Sequence, residues 1–540
     1  MTRPRSSAEP TMRAGATTAW SVVLAVGGGV VWAFCFAREA SVLLPWLALA
    51  PLVALLGRPR AWLWAWFFGF VSWLVSLPWL VPTVETFGGL PRWLSVVLFL
   101  LLCAYLALDQ ALFGWLGGRL WRRGVVGTSL AGDEDSQGDE PSAWRIAGTS
   151  FLVLPALFLL LEWKRGMPIG VFPWNPTSWA WLEVPGALDS MALIGGYGVT
   201  FLALAANAGV VLAIVQRRWR LGAAGVLVVA SLLLVGGRIG ARAAGPLAGV
   251  LLAEPGVGQR VVIVQPNNPI TYDERALVAG YQRLLSLSER ACTGEPTLLL
   301  WPESASWPYG WDNAPTLRND LGRLARSGCT VVLNSARRRD GALFNVALLV
   351  GRSDGGAAQV EGEYAKRHLV PYGEYVPLRE VLPFVGTLAR EAGSFTAGQD
   401  PALLDWRGTD IGMAICYEVI FPEAVAEQVR AGAGLLATVT NDAWYGDTWA
   451  PWQHLRAARL RAAESRRPMM RAALTGVSAV IDARGRVVDQ LGVGETGLLE
   501  ARLPFAVEAD PTPVSRRPTA PLWLSVLVLA FGMLRLRRTP

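Results

Sequence analysis

Lysine is almost missing from this chain. Of 49 basic residues only Lys164 and Lys366 are lysines; the rest are arginines. Such one-sided usage fits a biased genome, so a lysine marks a place where arginine does not do the job. Histidine is as scarce, with only His368 and His454. The five cysteines contain no CxxC pair. Neither a metal site nor a Cys–His dyad is supported by so few ligands. Charged residues make up only 17%, too few for an ordinary soluble enzyme of this length. No Lys/Arg-rich run with interleaved aromatics is present, which sets nucleic acid aside as a partner. No internal repeat occurs.

Apolar residues fill the gap. They reach 52% in 540 residues, with 25 tryptophans and a mean hydropathy of +0.35. Indole rings sit well at lipid headgroup level, so this wealth of tryptophan suggests a bilayer. Residues 14–37, 40–57, 61–84, 146–161, 190–216, 221–237 and 518–534 carry no Asp, Glu, Lys or Arg, and 93–118 carry only Asp109. A span needs about 20 mostly apolar residues, with about 17 as the lower end. Seven crossings are therefore expected within a membrane domain, 1–240, and an eighth within 516–540, ahead of a short cytoplasmic tail. With a cytoplasmic N-terminus, fifteen arginines fall on the inside and four basic residues on the outside. The positive-inside rule selects that orientation and reads the net charge of +7 as topological. Residues 241–515 then lie on the extracytoplasmic side. The first apolar segment is too long for a cleavable signal peptide and is expected to act as an uncleaved anchor. The acidic stretch 131–142 reads as a solvated connector. Asp109, inside an apolar span, is either functional or a polar contact between helices.

From about residue 258 the texture changes. Strands are expected over 260–267, 297–304, 329–336, 343–351, 411–418 and 435–442, and helices over 273–290, 315–327 and 450–467. Residues 471–503 read as closing hairpins. Alternating elements at this spacing predict an α/β fold whose sheets are covered by helices. Cys35 and Cys103 fall in apolar spans and read as packing residues. A Cys292–Cys329 disulfide suits an oxidising compartment, but spacing alone does not establish it.

Cys416 closes the apolar run IGMAIC, and a strand end can present a side chain to a cleft while its backbone stays fixed. An isolated cysteine is also commonly an inert buried residue. Two features favour the nucleophile. Glu303 ends LLLWPE, and Lys366 lies in the turn-rich YAKRHLVPYGEYVP. A thiol of pKa about 8.5 needs a base or a nearby cation at neutral pH. A carboxylate can take its proton, and an ammonium can steady both thiolate and oxyanion. Lysine supplies that charge as a compact point, which a guanidinium does not match.

These residues resemble the catalytic set of the nitrilase (carbon–nitrogen hydrolase) superfamily, Glu, Lys and Cys in that order. WPES, YAKRHLVPYGEYVP and AICYEVIFPE match its motifs at Glu303, Lys366 and Cys416. Together with the spans, the whole chain resembles the bacterial apolipoprotein N-acyltransferases, a membrane-embedded family of that superfamily. The resemblance implies a multi-span helical domain joined to an αββα nitrilase-like sandwich in the bacterial inner membrane, with the catalytic domain on the periplasmic face. It implies a phospholipid acyl donor, a diacylated apolipoprotein acceptor, a thioester on Cys416, and neither cofactor nor metal. It further implies supporting roles for Glu374, Tyr417, Glu418 and Asn345, and places Tyr272 where relatives tend to hold a tryptophan near the lipid entrance. For Glu418 a structural ion pair with an arginine is an equal reading, and for Asn345 a satisfied strand-end amide. The segment 441–454, NDAWYGDTWAPWQH, reads either as a mobile aromatic loop facing the membrane or as ordinary packing. Two other functions use the same residues: a membrane-tethered amidase, and a transporter or sensor with a ligand-binding domain. Neither regularly spaced intramembrane charges nor an inverted repeat supports the latter.

Overall fold

The computed structural model describes residues 18–39, 41–127, 141–167, 172–243, 258–371, 373–375, 395–503 and 510–537. All but the last two residues of the acidic connector 131–142 lie outside that set, as do Arg3, Arg5, Arg13 and Arg538 of the charge argument.

Among the described residues, four helices are long and apolar enough to cross a membrane: Arg92–Val126, Ala143–Lys164, Ala187–Ile214 and Trp219–Arg242. The run 61–84 forms two helices, Ala61–Ser76 and Leu80–Thr86, bent by 58° at Leu77–Trp79. Pro78 sits in that break; its missing N–H and fixed φ interrupt a helix there. The runs 14–37, 40–57 and 518–534 hold shorter apolar helices, Thr18–Phe34, Pro45–Leu55 and Ala520–Arg535. The helix Arg92–Val126, at 35 residues, is about 52 Å long, well beyond a hydrocarbon core of about 30 Å. Asp109 is a polar contact between helices: its Oδ1 lies 2.6 Å from Lys164 Nζ. One of the two lysines thus answers the one acid inside an apolar run.

The rest is a sandwich of two six-stranded sheets. In chain order the strands are β1 (Gln259–Gln265), β2 (Thr297–Leu300), β3 (Cys329–Arg339), β4 (Ala342–Arg352), β5 (Ala358–Ala365), β6 (Leu403–Trp406), β7 (Thr409–Ile415), β8 (Leu435–Thr440), β9 (Met469–Ala473), β10 (Ser478–Ile481), β11 (Val487–Leu491) and β12 (Gly497–Leu503). One sheet runs β12-β1-β2-β3-β4-β5 and the other β11-β10-β9-β8-β7-β6. The β1–β2–β3 and β7–β8–β9 cores are parallel, which is why their strands read as continuous apolar runs buried on both faces. The period of two sorts them: Val261 and Ile263 face the opposite sheet, while Val262 and Val264 face the helices Glu274–Ala291 and Pro315–Arg326. Cys292 and Cys329 form a disulfide between the end of the first of these helices and the start of β3.

The second sheet's outer face is covered by the helix Ala450–Ser465, and here the two halves of the protein share one core. That helix is buried almost all round, between sheet and membrane domain. Its polar residues bind the latter. Gln453 Nε2 donates to Ser76 O at 3.1 Å, Trp174 Nε1 donates to Gln453 Oε1 at 2.7 Å, and Gly196 N–H donates to Glu464 Oε1 at 2.7 Å. Gly196 has to be small: a Cβ there would lie 2.9 Å from Ser178 Oγ and 3.2 Å from Leu460 Cδ2.

Candidate active site

Glu303, Lys366 and Cys416 come from different strand ends. Glu303 follows β2, Lys366 follows β5 and Cys416 follows β7. The parallel strands β2 and β7 leave their carboxyl ends free for such side chains, and the edge strand β5, antiparallel to β4, adds Lys366. All three are buried, Lys366 most completely at 1% exposure. Lys366 Nζ lies 2.8 Å from Glu374 Oε2 and 3.7 Å from Glu303 Oε1. Asn345 bridges the two acids, donating to Glu374 Oε1 at 2.8 Å and to Glu303 Oε1 at 3.2 Å. Its own carbonyl accepts from Asn334 Nδ2 at 2.5 Å, which fixes the amide's orientation. From the other sheet, Asn441 N–H donates to Glu303 Oε2 at 3.0 Å. Asn345 is therefore more than a satisfied strand-end amide: it ties both glutamates to β3 and β4.

The electrostatics follow from that closeness. Burial pushes the Glu303 carboxyl above the usual range, against the pull of Lys366. Burial works against the Lys366 ammonium, but Glu303, Glu374 and Cys416 outweigh it and keep it charged. Burial and the neighbouring Glu303 push the Cys416 thiol up, opposed by Lys366 and by a hydrogen bond with Thr440. A thiol held neutral beside a carboxyl of raised pKa, with a fixed cation next to both, is arranged for proton transfer from sulfur to oxygen at the moment of attack.

The expected strand 411–418 stops at Ile415, because Cys416 has φ of +54° and opens a short 3-10 helix, Cys416–Ile420. A left-handed backbone at a non-glycine residue costs about 1–2 kcal/mol and needs surroundings that enforce it. Glu418 supplies part of that. Its Oε2 accepts from Ile415 N–H at 2.8 Å, and its Oε1 accepts from Arg367 N–H at 2.6 Å, His368 N–H at 3.0 Å and Tyr364 Oη at 2.9 Å. The arginine ion pair considered for Glu418 is thus replaced by a brace of backbone N–H groups, which couples the Cys416 turn to the segment carrying Lys366. Tyr417 is buried and packs edge-on against Phe421, with ring centres 5.3 Å apart.

Tyr272 is not one of the side chains of this buried network. It stands 78% exposed on the loop before the helix Glu274–Ala291. Of the two readings of 441–454, the contacts of Trp444 and Tyr445 are those of packing. Asp442–Tyr445 forms a 3-10 turn and the helix starts at Ala450. Thr83 Oγ1 donates to Trp444 O at 2.9 Å, and the Tyr445 ring packs 4.9 Å from Trp79 at the bend in the membrane domain.

Sequence reasoning missed a second cluster behind the cysteine. His454 Nε2 lies 3.1 Å from Cys416 O, and its Nδ1 lies 3.2 Å from Arg471 Nη2 and 3.0 Å from Asp442 Oδ1. Burial and Arg471 lower the His454 pKa, opposed by Asp442 and the Cys416 carbonyl. Cys416 O can only accept, so the ring donates to it from Nε2. Asp442 stays ionised, since Arg471 at 2.6 Å and His454 outweigh its burial. The rarity of histidine was the signal that could have pointed here.

The chain matches the family described as carbon-nitrogen hydrolase over residues 260–510, and the apolipoprotein N-acyltransferase N-terminal domain over 28–209. The apolipoprotein N-acyltransferase of Geobacter metallireducens is 34% identical over 489 residues, 86% of each chain. That of Vibrio cholerae is 31% identical over 522 residues, covering 92% of this chain and 93% of the relative. Among solved structures, Saccharomyces cerevisiae Nit3, a member of branch 10 of the nitrilase superfamily, is 21% identical and aligns with 49% of this chain and 95% of its own at a TM-score of 0.36. With relatives this similar along nearly all of its length, the chain belongs to the apolipoprotein N-acyltransferase family.

Proposed function

We propose that this protein moves a fatty acyl chain from a membrane phospholipid to the N-terminal amine of a diacylated apolipoprotein, through a thioester on Cys416. The observation that carries the reading is the 3.7 Å approach of Lys366 Nζ to Glu303 Oε1 beside the buried Cys416 thiol.

In the first half-reaction Cys416 Sγ attacks the ester carbonyl of the donor. The thiol proton goes to Glu303, and Lys366 with the Tyr417 N–H balances the charge on the carbonyl oxygen. The C–O bond breaks, Glu303 returns the proton to the leaving lysophospholipid oxygen, and a C–S bond remains. In the second, the acceptor's α-amine attacks the thioester, Glu303 takes an amine proton, and the thiolate leaves and is reprotonated. Glu374 and Asn345 hold Lys366 and Glu303 in register throughout. A carboxyl lifted by burial suits both directions of proton transfer.

The apolar helices and their shared core with the helix Ala450–Ser465 keep the reacting groups beside a bilayer. The excess of arginine on one side of the apolar runs favours an extracytoplasmic catalytic domain, and the Cys292–Cys329 disulfide suits that compartment.

The test is to incubate the purified protein with phospholipid and analyse the Cys416 peptide by mass spectrometry. An acyl adduct released by hydroxylamine is expected. Active protein that never carries the adduct, and frees ammonia from small amides instead, would be a membrane-tethered amidase.

A further inference from the structure

The helix Ala450–Ser465 separates two chemistries. His454 faces Cys416 on one side. Trp452, Leu455, Arg456 and Arg459, spaced so as to share the opposite side, line a cavity of about 730 Å³. Its other walls are Arg38 and Val42, between the first two apolar helices, the segment Leu182–Asp189, and Arg486 on the approach to β11.

The cavity is short of negative charge. Four arginines line it, Arg38, Arg456, Arg459 and Arg486, against Glu183 and Asp189. Both carboxylates are already engaged. Glu183 pairs with Arg459, and Asp189 takes Arg484 at 2.6 Å and Arg486 at 3.4 Å. Arg456 is only 4% exposed and binds two backbone carbonyls, Cys35 O at 3.0 Å and Ala37 O at 2.5 Å. Among the described residues it has no ion pair, and neither does Arg38, whose guanidinium lies 4.5 Å from the Trp452 ring centre. The acid that acts on Arg456 is Glu183, which Arg459 already occupies, and a buried guanidinium with only a shared counter-charge is costly. Beside this charge runs an apolar ledge: Val42, Leu43 and Leu47 are 42%, 74% and 53% exposed.

We propose that this cavity binds the phosphate of an anionic membrane phospholipid, with Arg38, Arg456 and Arg486 around the phosphate and the acyl chains along Val42–Leu47. The site goes beyond the acyl-transfer reading. The helix Ala450–Ser465 stands between it and Cys416, so this lipid fastens the catalytic domain to the bilayer and is not the acyl donor. The apolar ledge favours a lipid phosphate over a free one.

The full chain is purified in detergent and titrated with phosphatidylglycerol, phosphatidylcholine or inorganic phosphate, and bound molecules are counted by native mass spectrometry. Phosphatidylglycerol is expected to stay bound, and excess inorganic phosphate to leave it in place. Each mouth arginine near a lipid surface is worth about a fivefold change in affinity. R38Q/R486Q should therefore bind phosphatidylglycerol about thirtyfold more weakly. Unchanged binding in the double variant overturns the proposal, as does equal retention of phosphatidylcholine or displacement by inorganic phosphate. Should the double variant misfold, R486Q alone carries the test, since that side chain is 55% exposed.

Discussion

His454 donates from Nε2 to the backbone carbonyl of Cys416 at 3.1 Å, and so grips the proposed nucleophile by its main chain. A histidine beside a proposed catalytic cysteine suggests a base, yet here the ring's hydrogen bond is to the residue's backbone oxygen. Its contribution is to hold a left-handed turn in place.

Replacing His454 with alanine should therefore slow acyl-enzyme formation by about 10–100-fold, as misplacing a reacting atom does, while leaving the shape of the pH–rate profile unchanged. The uncapped carbonyl should also cost about 1–3 kcal/mol of stability. Rapid-quench acylation and thermal melting read the two effects separately. A lost or displaced pH limb would instead make the ring a proton carrier.

Lys366→Arg should fail although it keeps the charge. The ammonium is 1% exposed and sits between two carboxylates, with no room for a planar fork. Losing an oxyanion donor typically costs about 100–1000-fold in rate. Full thioester accumulation in Lys366→Arg would contradict the argument from lysine geometry.

The pH dependence has a definite sign. In the proposed mechanism Glu303 serves as base only when ionised, and burial raises its pKa above the ordinary carboxylate value. Acylation should fall as the pH drops through that raised value, with a midpoint above the usual glutamate figure of about 4.3. Single-turnover acylation across the acidic range checks this, and a midpoint at or below the ordinary value would remove Glu303 from the role.

The disulfide should matter for stability and not for chemistry. Cys292 and Cys329 are 37 residues apart and lie on the outer side of the first sheet. Closing a loop of that size is worth about 3–4 kcal/mol in the chain-entropy account. Cys292→Ser/Cys329→Ser should melt earlier by that measure while each folded molecule keeps its acylation rate.

Much of the sandwich was legible because its parallel strands are buried on both faces and so read as apolar runs. β5 and β6 escaped notice for physical reasons. AQVEGEYA is half-exposed with a glycine in the middle, and β6 has only four residues. Glu303, Lys366 and Cys416 stood out through position and rarity. Asp442, His454 and Arg471 did not, since their meeting depends on a helix folding back over β8 and β9, and Arg471 looked like any other arginine in an arginine-rich chain. Nor does periodicity announce a positive φ, which is why the strand end before Cys416 was placed three residues late.

The helix Ala450–Ser465 belongs to two cores at once, and this constrains biogenesis. A fragment excised at 258–503 would present to water the side that normally meets Trp174, Gly196 and the carbonyls of Cys35 and Ser76. In the proposed extracytoplasmic orientation, the sheets can begin to assemble as soon as they are translocated. Their last layer settles only against partners already threaded into lipid, so maturation of the enzyme is tied to completed insertion.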